Sequence, residues 1–290
     1  MSPNAKRLNE RAMLVDLSIS LWYARRKDKQ TSSEAISTKA AESDSGAWWT
    51  RVISRNELKA IIAAQLKGRM LHYKLTLPWN DDGTRILPAD MFMDYTKQIR
   101  AVRDEFDAAV DAFVARYPDL VARAQARLGN LYHAEFFPPA HKLRSKFDWQ
   151  IKIFPLPDAG DFRVDLGHDQ TKAIQTDIEQ AMNERMAVAM KELWTRLHDA
   201  VAHMADRLAN AKNVFRDSMV KNVAEMCDLL GRMNITNDPA LEEMRQAVAS
   251  KLAKQKPDAL RSDDKIRKST HKAAKDILSK LDEFLGGKKG

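Results

Sequence analysis

Hydrophobic and polar residues alternate strictly near the start of the chain. Val15, Leu17, Ile19, Leu21 and Tyr23 fall on one side, and Asp16, Ser18 and Ser20 on the other. Period two over that length predicts a half-buried strand. The next stretch, "RRKDKQTSSEAISTKAAESDSG", is polar and aperiodic, and 28–46 within it reads as a mobile loop. Such a length is unusual in a compact domain. Order resumes at "AWWTRVISRNELKAIIAAQLKGRM", whose second half, from Arg55, predicts a short helix terminated by Gly68. "RMLHYKLTLPW" alternates again and predicts a second strand with Leu71, Tyr73, Leu75, Leu77 and Trp79 on one side. "NDDGT" is a turn, with Asp90 as cap of the following helix. Phe92, Tyr95, Ile99, Val102, Phe106, Val110, Phe113 and Tyr117 then recur every three or four residues, one apolar helical face. Pro118 is expected to interrupt that helix, and "DLVARAQARLG" to start another. "FDWQIKIFPLPDAGDFRVDLG" reads as two strands around Asp158–Gly160, with Trp149, Ile151 and Ile153 facing Phe162, Val164 and Leu166.

The pattern changes after Gly167. From Gln170 to Leu230 there is neither glycine nor proline, and an apolar stripe runs from Ile174 through Met186, Leu193, Leu197, Val201, Met204 and Leu208 to Leu230. One unbroken helix would be about 90 Å long, against a radius of gyration of about 19 Å for a compact chain of this size. The segment must therefore fold back, project, or pack along another chain. "LANAKNVF", with Asn210 and Asn213, is the preferred hinge. "NITNDPALEE" ends a helix near Asn234 and restarts one at Pro239, and a last helix covers about Asp264 to Leu285. The expected fold class is α+β. A small four-stranded sheet with helices occupies 11–167, followed by a long, mainly α-helical C-terminal region over 168–286.

Composition narrows the class. The chain has 290 residues, 44% hydrophobic and 30% charged, which suffices for a real core. No apolar run approaches a membrane span, and Asp16, Ser18 and Ser20 break up any leader-like stretch. Cys227 is the single cysteine, so no intrachain disulfide forms, and its apolar helical setting predicts an inert buried thiol. The cytoplasm is the simplest compartment. The formal net charge of +8 is concentrated at the two ends. That asymmetry suits a polyanion or an acidic protein surface.

Motifs for chemistry are sparse. There is no GxxxxGK[ST], GxGxxG or GxSxG motif. Asp199, His203 and Asp206 share a helical face, but without HExxH or a cysteine cluster they read as a mixed polar face rather than a metal site. Asp81 and Asp82 belong to a turn, and Asp104, Glu105 and Asp107 to a solvated face. No catalytic residue, metal or cofactor is expected. The methionines along 182–233 read as core filler shared between helices of this chain or its oligomer, with an adaptable partner surface as the alternative. The candidate binding residues are basic. Arg25, Arg26, Lys27 and Lys29 enter the expected loop, and Lys265, Lys268, Lys272 and Lys275 form a helical stripe. Both suit phosphate contact of a non-specific kind. Trp22 and Tyr23 are expected on opposite faces of the strand, Tyr23 on the buried one, so they are no stacking pair.

Three stretches carry a resemblance: "LVDLSISLWYARRK", "FRDSMVKNVAEMCDLLGRMNITNDPALEEMRQAVASKLA" and "PDALRSDDKIRKSTHKAAKDIL". Together they resemble a phage and bacterial family catalogued as domain of unknown function 3150, over roughly 11–285, with "MNITNDPALEE" its most specific element. The resemblance implies a phage or prophage origin. It also implies gene neighbours that encode a MoxR-type AAA+ ATPase and a von Willebrand factor A-type protein, hence an adaptor or substrate role in ATP-driven remodelling. It carries over no catalytic residue. The long loop at 28–46 departs from the family's compactness. The expected function is a non-enzymatic interaction or scaffold protein that self-associates through its helical region. The alternative is a non-specific nucleic-acid-binding accessory protein of phage DNA metabolism.

Overall fold

The computed structural model describes residues 8–161, 164, 167–210 and 216–286. The fold is α+β. Strands β1 (Ala12–Ser20), β4 (Leu77–Pro78), β5 (Arg85–Pro88) and β6 (Asp148–Pro155) form one sheet in the order β4-β5-β1-β6. β5 runs antiparallel to β1, with Ala12 opposite Pro88 and Val15 opposite Arg85, and antiparallel to β4. β2 (Arg25–Asp28) and β3 (Trp48–Arg51) make a separate two-stranded antiparallel ribbon. The chain divides into two compact units. One comprises 1–16, 75–93 and 152–290; the other comprises 17–74 and 94–151. The boundary expected near Gly167 falls inside the first unit.

In β1 the alternation holds: Val15, Leu17 and Ile19 are buried, while Ser18 and Ser20 face solvent. It ends there, because the strand stops at Ser20 and Ala24 takes a left-handed φ of 51°. Trp22 therefore turns inward and Tyr23 outward, the reverse of the expected phase. Trp22 packs against Phe113 and Tyr117, with ring centroids 6.3 and 5.8 Å away.

The expected loop over 28–46 is instead an ordered insertion. β2 leads into helix α1 (Lys29–Thr38), and the chain returns through β3. The reason is a buried cap. Asp28 Oδ1 accepts the Thr31 backbone N–H at 3.0 Å, and Ser32 Oγ donates to the Asp28 carbonyl. A ten-residue helix this polar hides its one inward residue, Ser32, among serines.

The expected strand at 71–79 is a second correction. Helix α2 (Lys59–Leu75) runs through most of it, and only Leu77–Pro78 is extended. Its inward positions are Ile61, Ala64, Gln65, Gly68, His72 and Leu75, a helical spacing disguised by two polar residues. His72 Nδ1 lies 2.9 Å from the Tyr95 hydroxyl. Gly68 does not end the helix, which continues for seven residues past it.

Helix α3 (Phe92–Leu128) is continuous through Pro118. An interior proline costs about 3 kcal/mol, but the apolar face continues on both sides of it, through Phe113, Tyr117, Leu120 and Ala124, all buried. The Tyr117 hydroxyl donates to the Pro138 carbonyl at 2.9 Å. β5 had no counterpart among the expected strands, since four residues before a helix carry too little pattern. The expected partner strand of β6 rests on Phe162 and Leu166, which lie outside the described residues; Val164 is exposed.

In the other unit, helix α4 (His168–Ala209) stops where the hinge was expected, with Asn210 extended at φ −124°. Asn213 lies outside the described residues. Helices α5 (Asp217–Met233), α6 (Pro239–Val248), α7 (Pro257–Ser262) and α8 (Asp264–Leu285) follow. α8 packs along α4: Trp194 stacks on Phe284 at 4.3 Å, and His271 Nδ1 meets the Ala205 carbonyl at 3.0 Å. The stripe through Met186, Leu193, Leu197, Val201, Met204 and Leu208 is buried by the chain's own helices. Ile174, Ile178 and Met182, at the start of the stripe, are half-buried.

The stop and restart at "MNITNDPALEE" is a polar clasp. Asn234 Oδ1 accepts the Asp238 N–H at 2.8 Å, and its Nδ2 donates to the Asp238 carbonyl at 2.9 Å. Asp238 Oδ1 caps α6 by accepting from the Ala240 and Leu241 amides. Nearby, Arg245 donates to both oxygens of Glu242, which holds that carboxyl down at about 2. Cys227 is buried, and burial pushes its thiol up to about 11, as an inert thiol requires. Among the described residues no helix is long and apolar enough to cross a membrane.

Candidate nucleic-acid interface

The ribbon β2–β3 gives the basic stretch a geometry. Its register sets Arg25 opposite Arg51, Arg26 opposite Thr50, Lys27 opposite Trp49 and Asp28 opposite Trp48. Successive side chains on a strand point to opposite faces. Arg25, Lys27, Trp49 and Arg51 thus share one face, and Arg26, Asp28, Trp48 and Thr50 the other. Asp28 and Thr50 are buried, at 1% and 3% exposure, so the second face is the inner one over that stretch. All four residues of the outer face are exposed.

The inner face holds the outer one in place. Asp28 Oδ2 accepts the Thr50 hydroxyl at 3.3 Å, and His133 Nε2 stands 3.8 Å from the same oxygen. The Thr31 amide above all holds the Asp28 carboxyl below its ordinary value, against the opposing effect of burial. The Trp48 amide donates to Ser32 Oγ at 2.8 Å, which ties β3 to α1. Arg127 donates to the carbonyls of Arg51 and Val52, each at 2.7 Å, and the Val52 amide closes the ribbon onto the Ala24 carbonyl at 2.8 Å.

Aromatic rings stand among the cations. The Arg25 guanidinium carbon lies 5.6 Å from the Trp49 ring centroid and 5.9 Å from that of Tyr23, within cation–π range of both. Trp49 is 55% exposed and Tyr23 45%. Trp22, Trp79, Trp149 and Trp194 are buried, so the two exposed tryptophans of the chain are the adjacent pair on β3. Neither Arg25, Arg26, Lys27 nor Arg51 has a carboxylate within ion-pair distance among the described residues. Like charges directly opposite each other on a ribbon destabilise it, and Arg25 faces Arg51. That unfavourable pairing makes the face a candidate for contact outside the chain.

The expected basic residues thus separate. Arg25, Arg26 and Lys27 come together on β2, and Lys29 is the first residue of α1. Lys265, Lys268, Lys272 and Lys275 lie in the other unit, on α8, exposed opposite its buried Thr270, Ala274, Ile277 and Leu281. Their stripe is partly neutralised, since Lys268 pairs with Asp264 at 2.7 Å. Trp49 and Arg51 were missed in the sequence. The available signal was "WWTR", paired aromatics beside a cation some twenty residues after "RRK". Among the described residues, no group of three histidine, cysteine or acidic side chains is placed to hold a metal ion, the Asp199, His203 and Asp206 set included. His198 instead lies 3.2 Å from Asp282 and 3.3 Å from Asp199.

The chain is thus of the α+β class and carries an exposed face of cations and aromatic rings on the β2–β3 ribbon. Comparison with protein-family models, with curated proteins and with solved structures finds no match.

Proposed function

We propose that the chain is a non-enzymatic, nucleic-acid-binding accessory protein of the phage type that its sequence resembles. The single observation carrying this reading is the outer face of β2–β3, where Arg25, Lys27 and Arg51 stand exposed without carboxylate partners among the described residues. Such a face contacts phosphates and displaces their counterions, so affinity falls with salt. Three phosphates on a single strand give a slope of about −2 in log affinity against log salt. Fluorescence anisotropy with a labelled oligonucleotide between 50 and 300 mM salt (roughly the range in which such contacts are lost) measures it. A flat response, or no binding at the lowest salt, removes this function.

A second reading keeps the scaffold role, with a MoxR-type ATPase or a von Willebrand factor A-type protein as partner, and rests on another surface. Leu66, Met70 and Tyr73 succeed one another along one side of α2, and Met70 is 72% exposed. An apolar stripe left in water on a helix suits a second copy of this chain. Light scattering is expected to show a dimer that Met70→Glu dissociates. A monomer at micromolar concentration ends the self-association part of this reading.

A further inference from the structure

We propose that the β2–β3 face takes single-stranded rather than duplex nucleic acid, with a base stacked on Trp49 and a second against Tyr23. This rests on the nucleic-acid reading above and narrows it. Cations alone would serve a duplex, whose phosphates point outward and whose bases are already stacked. The rings have no such use. Trp49 and Tyr23 are both about half exposed, and both flank the Arg25 guanidinium within 6 Å. They therefore offer π-faces beside a cation, the combination that holds unstacked bases in single-strand binders. The register completes the geometry. Lys27 lies directly opposite Trp49, and Arg25 opposite Arg51 one step along the same face. A base on Trp49 thus has a cation for its phosphate across the ribbon and another along it.

The face is also rigid. Its backbone is fixed by Asp28, Ser32 and Arg127 from behind, so little ordering is needed on binding. Tryptophan and tyrosine spent in water are otherwise a cost to solubility, and apart from Trp48 and Trp49 the tryptophans of the chain are buried. An acidic protein would match the charge, but it presents planar rings beside its anions only case by case, whereas a single strand repeats a base beside every phosphate. Stacking is indifferent to base identity, so no sequence preference is expected.

The test uses the full chain with three probes at one salt concentration: an oligothymidylate, a duplex of the same length, and heparin. Oligothymidylate is expected to bind at least about tenfold more tightly than the duplex and to quench tryptophan fluorescence. Trp49→Ala is expected to weaken oligothymidylate binding by about 5- to 150-fold while leaving duplex, heparin and the salt slope unchanged. Trp49→Phe, which keeps a ring, is expected to retain most of the affinity. Arg25→Gln with Lys27→Gln is expected to weaken all three probes and flatten the slope. These side chains are exposed, and thermal melting checks that each variant folds. Equal affinity for single strand and duplex, with Trp49→Ala silent, overturns the single-strand inference and leaves the phosphate-binding function standing. Salt-independent or absent binding of both nucleic-acid probes overturns both, even where heparin still binds.

Discussion

Asp28→Ala is expected to destabilise the 17–74 and 94–151 unit by about 2–4 kcal/mol, because the buried carboxylate holds two contacts inside it. The carboxylate does two jobs in the interior. It caps α1 through the Thr31 amide, a contribution of about 0.5–2 kcal/mol. It also satisfies the buried Thr50 hydroxyl, whose abandonment costs about 1–3 kcal/mol. Urea unfolding reads the loss as a lower midpoint at unchanged slope. Asp28→Asn keeps a capping oxygen and is expected to recover part of it. The pH dependence has a definite sign. The folded carboxyl is held below its ordinary 3.8, so its contribution is complete above that value and is lost as pH falls through the lower, folded one. Because the same residue backs the ribbon, Asp28→Ala is also expected to weaken oligonucleotide binding without removing a cation. An unchanged midpoint would show that the cap is ornamental.

Gly68→Ala sets two effects against each other, and packing is expected to win. Alanine is favoured over glycine inside a helix by about 1 kcal/mol. A Cβ at Gly68, however, would stand 2.2 Å from Trp149 Cη2 and 3.0 Å from its Cζ2. Trp149 is buried and packed on Phe106 with ring centroids 5.3 Å apart, so it has little room to retreat. Overpacking of this kind costs about 1–3 kcal/mol, and a contact this short belongs at the upper end. The net expectation is a destabilisation of about 1–2 kcal/mol. The decisive measurement is a double-mutant cycle with Trp149→Leu. In that background the clash is gone and Gly68→Ala is expected to turn stabilising. A higher melting temperature for Gly68→Ala in the original background would refute the Trp149 explanation.

Both residues illustrate why parts of the fold were legible and others were not. Gly68 looked like a helix stop because glycine usually is one; its actual reason is a tryptophan 81 positions later in the chain. Asp28 looked like one more charge in a polar run, and only the pairing of β2 with β3 reveals it as buried. Pro118 read as a break because its local cost is real, but the apolar face on both sides of it outweighs that cost.

The candidate interface divides the same way. The basic half, Arg25, Arg26 and Lys27, was visible as a charge cluster. The aromatic half was not, since Trp49 joins it only through strand pairing across an intervening helix. The tail lysines were equally visible, and the structure leaves them in the other unit.

What the sequence determined by itself is what neighbouring residues decide among themselves. These are the alternation of β1, the amphipathic helices past Gly167, the end of one of them at Asn210, the Asn234–Asp238 clasp and the inert setting of Cys227. Only the tertiary structure decided the 28–46 insertion, the helical state of 59–75, the covering of the α4 stripe by α8, and the joining of Arg25, Lys27, Trp49 and Arg51 on one face with Tyr23 beside Arg25. The physical reason is range. Side-chain periodicity and capping act within a turn or two of chain, whereas strand register and the burial of a polar group are set by partners far away in sequence.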